Sequence, residues 1–191
     1  MRLVILGPPG SGKSTQSERI SARCGISHIY AGELLRREAE SGSPFSARVH
    51  SYLEAGLLAP PDIVLYLIER ELAGAPGGYA LDGFPRTMEQ ALELEFLLQE
   101  RRETLDSAIY LLLSEDEIFR RLLARGRPDD TPQIITTRIQ VFHAETDPVL
   151  EFYDRKDILV AVSGEGAADH VTEGILSAVL AKMTATRATA A

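Results

Sequence analysis

The chain contains very little cysteine and no long apolar segment. Cys24 is its single cysteine, which excludes a disulfide within this sequence and a zinc site built from several cysteines. The apolar run Leu3–Leu6 is too short for the core of a signal peptide, and no later run approaches the roughly 18 apolar residues of a membrane span. From these absences we expect a cytoplasmic protein that makes no membrane contact.

Positive charge is also scarce. The 191 residues include 20 Lys and Arg against 28 Asp and Glu, for a net charge of −8. Proteins that bind nucleic acid usually carry clusters of excess basic residues that face the phosphate backbone. We therefore expect no nucleic-acid partner, and any binding of anions must rely on a local arrangement of residues.

Short apolar runs alternate along the chain with longer stretches of helical pattern, and 45% of the residues are apolar, enough for the core of one domain. The pattern predicts strands at Leu3–Leu6, His28–Ala31, Tyr79–Asp82, Ser107–Leu113 and Ile158–Val162. It predicts helices at Lys13–Cys24, Pro61–Leu72, Met88–Arg101, Glu115–Arg125, Pro132–Tyr153 and Ala168–Met183. Such alternation is typical of an α/β fold, a three-layer αβα sandwich around a parallel sheet of about five strands.

Three stretches do not follow this alternation. Gly32–Ala59 has the pattern of short helices without a strand between them, and Arg125–Pro132 is a polar break between two helices. We expect both to be flaps inserted near a ligand. The tail Thr184–Ala191 consists of Thr and Ala with one Arg, and we expect it to be disordered.

Residues 7–15 read GPPGSGKST, which matches the phosphate-binding pattern GxxxxGK[ST] between a predicted strand and a predicted helix. In such a loop, backbone N–H groups converge on phosphate oxygens and the helix N-terminus adds partial positive charge. Lys13 is expected to reach the outer phosphates without a protein partner, and the Ser14 hydroxyl to ligate Mg²⁺. The predicted nucleoside triphosphate site contains Gly10, Ser11, Gly12, Lys13, Ser14 and Thr15.

A second motif follows the third predicted strand. Residues 79–91 read YALDGFPRTMEQA, so this strand ends at Asp82 and a Gly-Phe-Pro-Arg turn leads into a helix. Ligands of parallel sheets bind at the carboxyl ends of strands. Asp82 therefore lies where a ligand would bind, and a cap on the following turn is the alternative role.

Five motifs resemble those of the adenylate kinases and, more widely, of the nucleoside monophosphate kinases, in the family's order. They are GPPGSGKST, GELLR, AGLLAPPDIV, LDGFPRTMEQA and GRPDDTPQIITTRI, and the similarity covers nearly the whole chain. The resemblance implies a P-loop NTPase-type fold with a helical NMP-binding insertion at residues 30–59 and a minimal lid at residues 126–132. It also implies a monomeric enzyme that uses Mg²⁺ and reversibly transfers a phosphoryl group from ATP to AMP, giving two ADP.

The resemblance also assigns arginines to the two nucleotides, and guanidinium suits phosphate because it stays charged and binds in a bidentate fork. Arg36 and Arg86 would hold the monophosphate, Arg121 would cover the adenine of ATP, and Gly166 would also line the ATP site. The implied catalytic residues are Lys13, Arg86, Arg125, Arg127 and Arg138, and the implied metal residues are Ser14 and Asp82, partly through water. The implied AMP-binding residues are Ala31, Arg36, Leu57, Leu58, Ala59, Gly83, Phe84, Pro85, Arg86, Gln90, Arg127 and Arg138.

The acceptor pocket departs from the family pattern at one place. Adenylate kinases usually read Ser-Thr-Gly-Asp where this chain reads Tyr30-Ala31-Gly32-Glu33, and Ala at the second position is common among UMP/CMP kinases. Gln90 matches the residue that pairs with the adenine edge, although an amide can rotate to suit adenine or uracil. We expect AMP as the acceptor, with UMP or CMP as the alternative.

The lid is the other departure, because only Gly126 separates Arg125 from Arg127. Shielding from water must then come from Asp129, Asp130 and the arginines themselves. No general base is visible, and none is needed when the acceptor is an ionised phosphate oxygen. A P-loop module that binds nucleotide without transferring phosphate is a further alternative. The pair Arg36 and Arg86 argues against it, because such a module needs no monophosphate pocket.

Overall fold

Five parallel strands form the central sheet of the structure, a computed structural model that describes residues 1–54, 59–127 and 130–189. The strands are β1 (Arg2–Leu6), β2 (Ser27–Tyr30), β3 (Tyr79–Asp82), β4 (Ser107–Leu112) and β5 (Leu159–Ser163). Their order across the sheet is β2-β3-β1-β4-β5, and every neighbouring pair is parallel. The predicted α/β fold with a parallel sheet of about five strands is confirmed.

The described residues also form eight helices. They are α1 (Lys13–Cys24), α2 (Ala31–Glu40), α3 (Ser46–Glu54), α4 (Pro61–Ala73), α5 (Met88–Glu100), α6 (Glu115–Arg125), α7 (Pro132–Arg155) and α8 (Ala168–Thr189). Helices α2 and α3 occupy the stretch where the sequence predicts short helices without a strand. The use of residues 30–59 as an NMP-binding insertion stays a prediction.

The last helix differs from the expectation for the tail. Helix α8 continues to Thr189, through most of the stretch 184–191 for which the sequence predicts disorder. The physical reason is composition, because this stretch is rich in alanine, which has the highest helix propensity. Residues 190 and 191 lie outside the described residues.

Successive side chains of a strand point to opposite sides of the sheet, and apolar residues occupy both sides here. Val4 and Leu6 of β1 belong to one buried cluster, which includes residues of α4, α5 and α7. Leu3 and Ile5 belong to a second cluster with residues of α1 and α8. A third, smaller cluster joins α6 to α7. Helices on both faces thus hold the strands in one register, so their carboxyl ends meet at a single edge.

Candidate active site

The carboxyl edge of the sheet brings together residues that are far apart in the sequence. In the parallel register, Tyr30 at the end of β2 pairs with Asp82 at the end of β3, and Asp82 pairs with Ile5 of β1. The loop after β1 carries the GPPGSGKST motif. The order of the strands, with β3 beside β1, therefore places the second motif next to the first.

The loop after β1 has the shape expected of a phosphate cradle. Gly10 has a φ of 78°, and a Cβ on it would lie 3.1 Å from Cγ of Leu122 in α6, so both its conformation and its packing favour glycine. Gly12 caps α1 without a side-chain hydrogen bond, and the first turn of α1 carries no acidic residue. The first amides of α1 are thus not occupied by a side-chain cap, as anion binding at a helix N-terminus requires.

Lys13 contacts the backbone of its own loop. Its Nζ donates to the carbonyl oxygen of Gly7 at 2.7 Å and to that of Pro8 at 2.9 Å. The expectation that Lys13 has no protein partner is therefore wrong, because the loop curls back around the side chain. Burial and then the charge of Arg86 lower the pKa of Lys13 to about 8, against the opposing effect of Asp82. This effect agrees with the pairing of β1 with β3, which places the loop of Lys13 beside the turn of Arg86.

Asp82 is a buried carboxylate at the centre of this edge. Its exposed fraction is 1%, and within the described residues neither of its carboxylate oxygens makes a hydrogen bond. His28 Nε2 lies 3.5 Å from Oδ2, too long and unaligned to satisfy that oxygen. A buried carboxylate without a hydrogen bond is costly, and a cation bound at this place would offset that cost.

The turn after Asp82 shapes the second half of the site. Arg86 Nε donates to the carbonyl oxygen of Gly83 at 3.0 Å, which folds the side chain back over the turn. Its own carbonyl accepts a hydrogen bond from Thr146 Oγ1 of α7 at 2.9 Å. Phe84 and Pro85 are buried. Arg86 makes no ion pair with a carboxylate among the described residues, so its charge is available to an anion.

Gln90 lies in the first turn of α5 and is 4% exposed. Its Oε1 accepts a hydrogen bond from the backbone N–H of Arg86 at 2.7 Å, and Thr87 caps the helix by accepting from the N–H of Gln90. Because the atom facing a backbone N–H must be the oxygen, the amide is held in one orientation. The amide therefore presents its NH₂ group as a donor to anything bound beside it. The sequence alone left the orientation of this amide open.

A cavity of about 500 Å³ lies beside Gln90. Its lining includes Tyr52 of α3, Ala59, Thr87 and Met88. Ala59, which the sequence assigns to the base pocket, lines this cavity. Leu57 and Leu58, assigned to the same pocket, lie outside the described residues. Ala31, the first residue of α2, is 4% exposed and belongs to a buried apolar cluster.

Arg36 projects from α2 over the ring of Tyr30. Its Cζ lies 5.2 Å from the ring centroid, within the range of a cation–π contact. The side chain is exposed and makes no ion pair among the described residues. Arg86 also lies near Tyr30, beside Gly83. A Cβ on Gly83 would lie 3.2 Å from Arg86 Nη2 and 3.9 Å from Tyr30 Cε2.

Arg121 joins α6 to the loop after β5. Its Nη2 donates to the carbonyl oxygen of Gly164 at 2.9 Å and its Nε to Glu117 at 2.6 Å. A Cβ on Gly164 would lie 3.2 Å from the carbonyl oxygen of Ser11, so this loop also contacts the phosphate cradle. Gly166, in the same loop, has a φ of 96°. These contacts place Arg121 and the loop that contains Gly166 beside the first motif, and their roles in binding ATP stay predictions.

The arginines between α6 and α7 converge on Asp130. Arg125 donates to its carboxylate through Nε at 2.9 Å and Nη2 at 2.7 Å, and Arg138 Nη1 donates at 3.1 Å. The backbone N–H of Arg127 adds a fourth hydrogen bond at 3.2 Å. These hydrogen bonds, first the one from Arg125, lower the pKa of Asp130 to about 2. Asp129 lies outside the described residues.

The sequence assigned no role in the site to Thr146 and Tyr30, and it expected Asp130 only to help shield the site from water. Asp130 gathers the arginines of the lid, Thr146 holds the backbone of Arg86, and Tyr30 lies beside Arg36. An acidic residue among several arginines was a visible signal for Asp130. Thr146 carried no such signal, because its contact spans 60 residues of sequence.

Two further observations concern the described ranges alone. No cluster of three or more His, Cys, Asp or Glu side chains there is arranged to bind a metal ion. None of the helices in the same ranges combines the length and the apolarity that crossing a membrane would need.

Known proteins resemble this chain over most of its length. The sequence model of the family "Adenylate kinase" matches residues 5–158. The chain is 42% identical over 181 residues to the adenylate kinase of Mycolicibacterium smegmatis and 41% identical to that of Corynebacterium aurimucosum, covering 94% of this chain and 99% of each relative. It is 39% identical to the adenylate kinase of Parasynechococcus marenigrum, covering 91% of this chain and 96% of the relative. Fold, site and sequence together show that the chain belongs to the adenylate kinase family.

Proposed function

We propose that this protein reversibly transfers the terminal phosphoryl group of Mg·ATP directly to AMP, producing two ADP. The observation that carries the proposal is the meeting of two separate motifs at one place. Lys13 of the phosphate cradle and Arg86 of the turn after β3 are close enough for the charge of Arg86 to lower the pKa of Lys13. A donor phosphate on one side and an acceptor phosphate on the other would thus lie face to face.

The donor side consists of the loop after β1, α6 and the loop after β5. The N-terminal amides of α1 and the ammonium of Lys13 would bind the phosphates of ATP. When ATP binds, Lys13 would exchange its hydrogen bonds to the carbonyls of Gly7 and Pro8 for bonds to phosphate oxygens. The negative charge of the phosphate would then favour the protonated form of Lys13. Arg121, held by Gly164 and Glu117, would lie against the base.

The acceptor side consists of α2, the turn after β3 and the start of α5. Arg36 and Arg86 would hold the monophosphate in charge-assisted hydrogen bonds. The phosphate oxygen that attacks is already ionised, so no side chain has to remove a proton. The contribution of the protein is to align two phosphates and to stabilise the charge that spreads over the transferring group.

The lid would complete the cage of positive charge. Two negatively charged nucleotides repel each other, and Arg125, Arg127 and Arg138 would offset that repulsion around the transferring phosphoryl group. Asp130 holds Arg125 and Arg138 close together, so their orientation is prepared before the nucleotides bind. Such preparation matters because catalysis by positioning loses rate steeply with small displacements.

The residues of this edge fit a magnesium ion. Asp82 offers a buried carboxylate with no hydrogen bond from the described residues, and Ser14, at the start of α1, offers an exposed hydroxyl. Hard cations such as Mg²⁺ prefer oxygen ligands and keep several waters. When bound, the ion would neutralise phosphate charge. Asp82 and Ser14 would hold it, partly through water.

Gln90 favours adenine as the acceptor base. Its NH₂ group is presented as a donor because Oε1 is occupied by the N–H of Arg86. Adenine and cytosine each offer an unprotonated ring nitrogen as an acceptor, whereas N1 of guanine and N3 of uracil carry hydrogens. Leaving a buried polar group unpaired is costly, so the fixed amide discriminates among bases. The amide thus disfavours UMP, and CMP is the less favoured acceptor because a purine fills more of the cavity of about 500 Å³ beside Gln90 than a pyrimidine does.

The site needs residues from a single chain, which supports a monomer. We also propose a cytoplasmic location, because reducing compartments suit a chain that lacks paired cysteines. Light scattering of the purified protein at assay concentrations tests the first point. Fractionation of the source cells tests the second.

An assay of ADP formation tests the function. The purified protein would receive Mg·ATP with AMP, UMP, CMP or GMP in turn, and we expect the highest kcat/KM with AMP. The reverse reaction, formation of ATP and AMP from Mg·ADP alone, should proceed as well. Faster turnover of UMP or CMP would support the pyrimidine alternative. No transfer to any monophosphate would support a nucleotide-binding module.

A further inference from the structure

Tyr30 lies in the acceptor site although no role follows for it from the sequence. It is the last residue of β2 and directly precedes α2, in register with Asp82 on β3. Its ring stacks on His28 with centroids 6.3 Å apart and an angle of 6° between the planes. Two neighbours, His28 and the guanidinium of Arg36, hold the ring in place.

The position of the hydroxyl follows from its neighbours. A Cβ on Gly32 would lie 2.9 Å from Tyr30 Oη, so the phenol end of the ring lies against the first turn of α2. The same edge of the ring also lies near Gly83, because a Cβ there would lie 3.9 Å from Tyr30 Cε2 and 3.2 Å from Arg86 Nη2. Tyr30 is therefore situated between the two arginines that face the acceptor.

The hydroxyl has a hydrogen-bonding capacity that the protein does not use. Among the described residues it makes no hydrogen bond, and the side chain is half-buried rather than free in solvent. The contacts of the ring with Arg36 and His28 restrict its orientation. An ordered donor next to two guanidiniums that make no ion pair within the described ranges matches an anion with several oxygens, such as a phosphate monoester.

We propose that Tyr30 is a substrate-binding residue whose hydroxyl donates a hydrogen bond to the acceptor monophosphate between Arg36 and Arg86. The inference rests on the proposed function, in which these arginines bind the acceptor. The buried Ala31 next to Tyr30 has no hydroxyl of its own, so Tyr30 supplies one from the neighbouring position. The ring also seats Arg36, and the tyrosine thereby links the two halves of the phosphate clamp.

Tyr30→Phe tests the hydroxyl while keeping the ring. We expect the KM for AMP to rise about tenfold, near the lower end for a hydrogen bond to a charged group. The KM for ATP and the inhibition constant of adenosine against AMP should change less than about twofold, because neither involves this phosphate. The melting temperature should stay unchanged, since the cation–π and stacking contacts remain.

Tyr66→Phe is the matched control. Tyr66 on α4 also carries an arginine over its ring, with Arg70 Cζ 5.6 Å from the centroid, but it belongs to no part of the site. Its variant should behave as the wild type in all four measurements. A difference between the two variants therefore reports the location of the hydroxyl and not the loss of a phenol in general.

Three results would overturn the inference: an unchanged KM for AMP in Tyr30→Phe, an equal loss for AMP and adenosine, or a loss confined to ATP. Failure of the proposed function gives a different result, since the wild type would then form no ADP from AMP. If UMP or CMP proved to be the acceptor, the same comparison would be made with that nucleotide and its nucleoside. The phosphate, and hence the role of Tyr30, would be the same.

Discussion

Lys13 illustrates how a single residue is prepared for its ligand. Its ammonium is half-buried and shares hydrogen bonds with two carbonyls of the loop, yet its pKa is lowered to about 8, mainly by burial. The lowered pKa means that the folded protein disfavours the charged form relative to the unfolded chain. A phosphate would reverse this preference, so the residue is suited to binding and contributes little to stability.

Lys13→Met should therefore separate activity from stability. The substitution removes two hydrogen bonds, which contribute about 1 kcal/mol each, but it also removes the cost of burying a charge at pH 7. We expect the melting temperature to change by only a few degrees, as for a small net change in free energy. Turnover should fall by at least about a hundredfold, the usual cost of losing a group that stabilises transition-state charge. Near-normal kcat would contradict the assignment of the phosphate cradle.

The pKa of Lys13 predicts proton uptake when ATP binds at alkaline pH. With a pKa of about 8, most of the Lys13 side chains in the free protein are neutral at pH 8.5, and bound phosphate favours the charged form. Binding should take up about 0.7 protons if the pKa rises well above 8.5. Titration calorimetry in two buffers with different ionisation enthalpies measures this number.

Lys13→Met is the control for that titration, because the uptake due to this group must disappear. The phosphates of ATP are fully ionised at pH 8.5 and add no proton of their own. An observed enthalpy that is the same in both buffers for the wild type would show that Lys13 is already charged in the free protein.

At the scale of elements, the lid depends on how α6 and α7 are joined. Helix α6 ends at Arg125 with Gly126 as its cap, and α7 begins at Pro132 after a cap from Thr131. The apolar cluster of Ile118, Leu122, Ile135 and Ile139 packs the two helices together. Arginines from both helices can therefore reach one carboxylate, that of Asp130, whose side chain is fully buried.

Asp130→Asn should damage catalysis more than ATP binding. The variant keeps an acceptor for one hydrogen bond but loses the charge that holds Arg125 and Arg138 together. We expect kcat to fall about tenfold to a hundredfold through loss of alignment, since positioning effects are of this size. The KM for ATP should change less. Steady-state kinetics with both substrates measure kcat and the KM for ATP separately.

Asp116→Asn is a suitable comparison for Asp130→Asn. Asp116 lies in the first turn of α6, and its side chain is exposed and makes no ion pair among the described residues. The substitution Asp116→Asn removes one negative charge, as Asp130→Asn does, but at a position outside the arginine cluster. If both variants lost activity equally, the effect would come from net charge, and the role of Asp130 in orienting the arginines would be refuted.

At the scale of the whole molecule, the carboxylates paired with arginine set the stability in acid. The pKa of Asp130 is lowered from 3.8 to about 2, first by the hydrogen bond from Arg125. That of Glu117 is lowered from 4.5 to about 2, first by the hydrogen bond from Arg120 and then by that from Arg121. The unfolded chain binds more protons than the folded one between these values, so stability is lost as the pH falls.

We expect the melting temperature to fall between about pH 4.5 and pH 2, because this window spans the unfolded and folded pKa values. In Glu117→Gln the fall should be shallower, since one of the two shifted carboxylates is gone. Scanning calorimetry at half-unit steps of pH measures the slope. An unaltered slope in Glu117→Gln would mean that its ion pairs with Arg120 and Arg121 do not persist in solution.

The sequence alone predicted most of what depends on local pattern. Periodicity located the five strands and the long helices, and the loop before Lys13 was recognised because its glycines, its lysine and its place between strand and helix are contiguous. The short lid was visible as the single residue between Arg125 and Arg127. The prediction of a disordered tail was wrong, because the alanines of this stretch favour helix and α8 extends farther than expected.

Only the tertiary structure decided which distant residues meet. The strand order places β3 between β2 and β1, and this arrangement brings Tyr30 and Asp82 together beside the loop of Lys13. The orientation of the Gln90 amide depends on a backbone N–H in the preceding turn, and the grouping of arginines on Asp130 depends on the packing of α6 against α7. Such contacts follow from the burial of apolar faces over the whole chain, whereas spacing along the sequence reports only what lies nearby on one element.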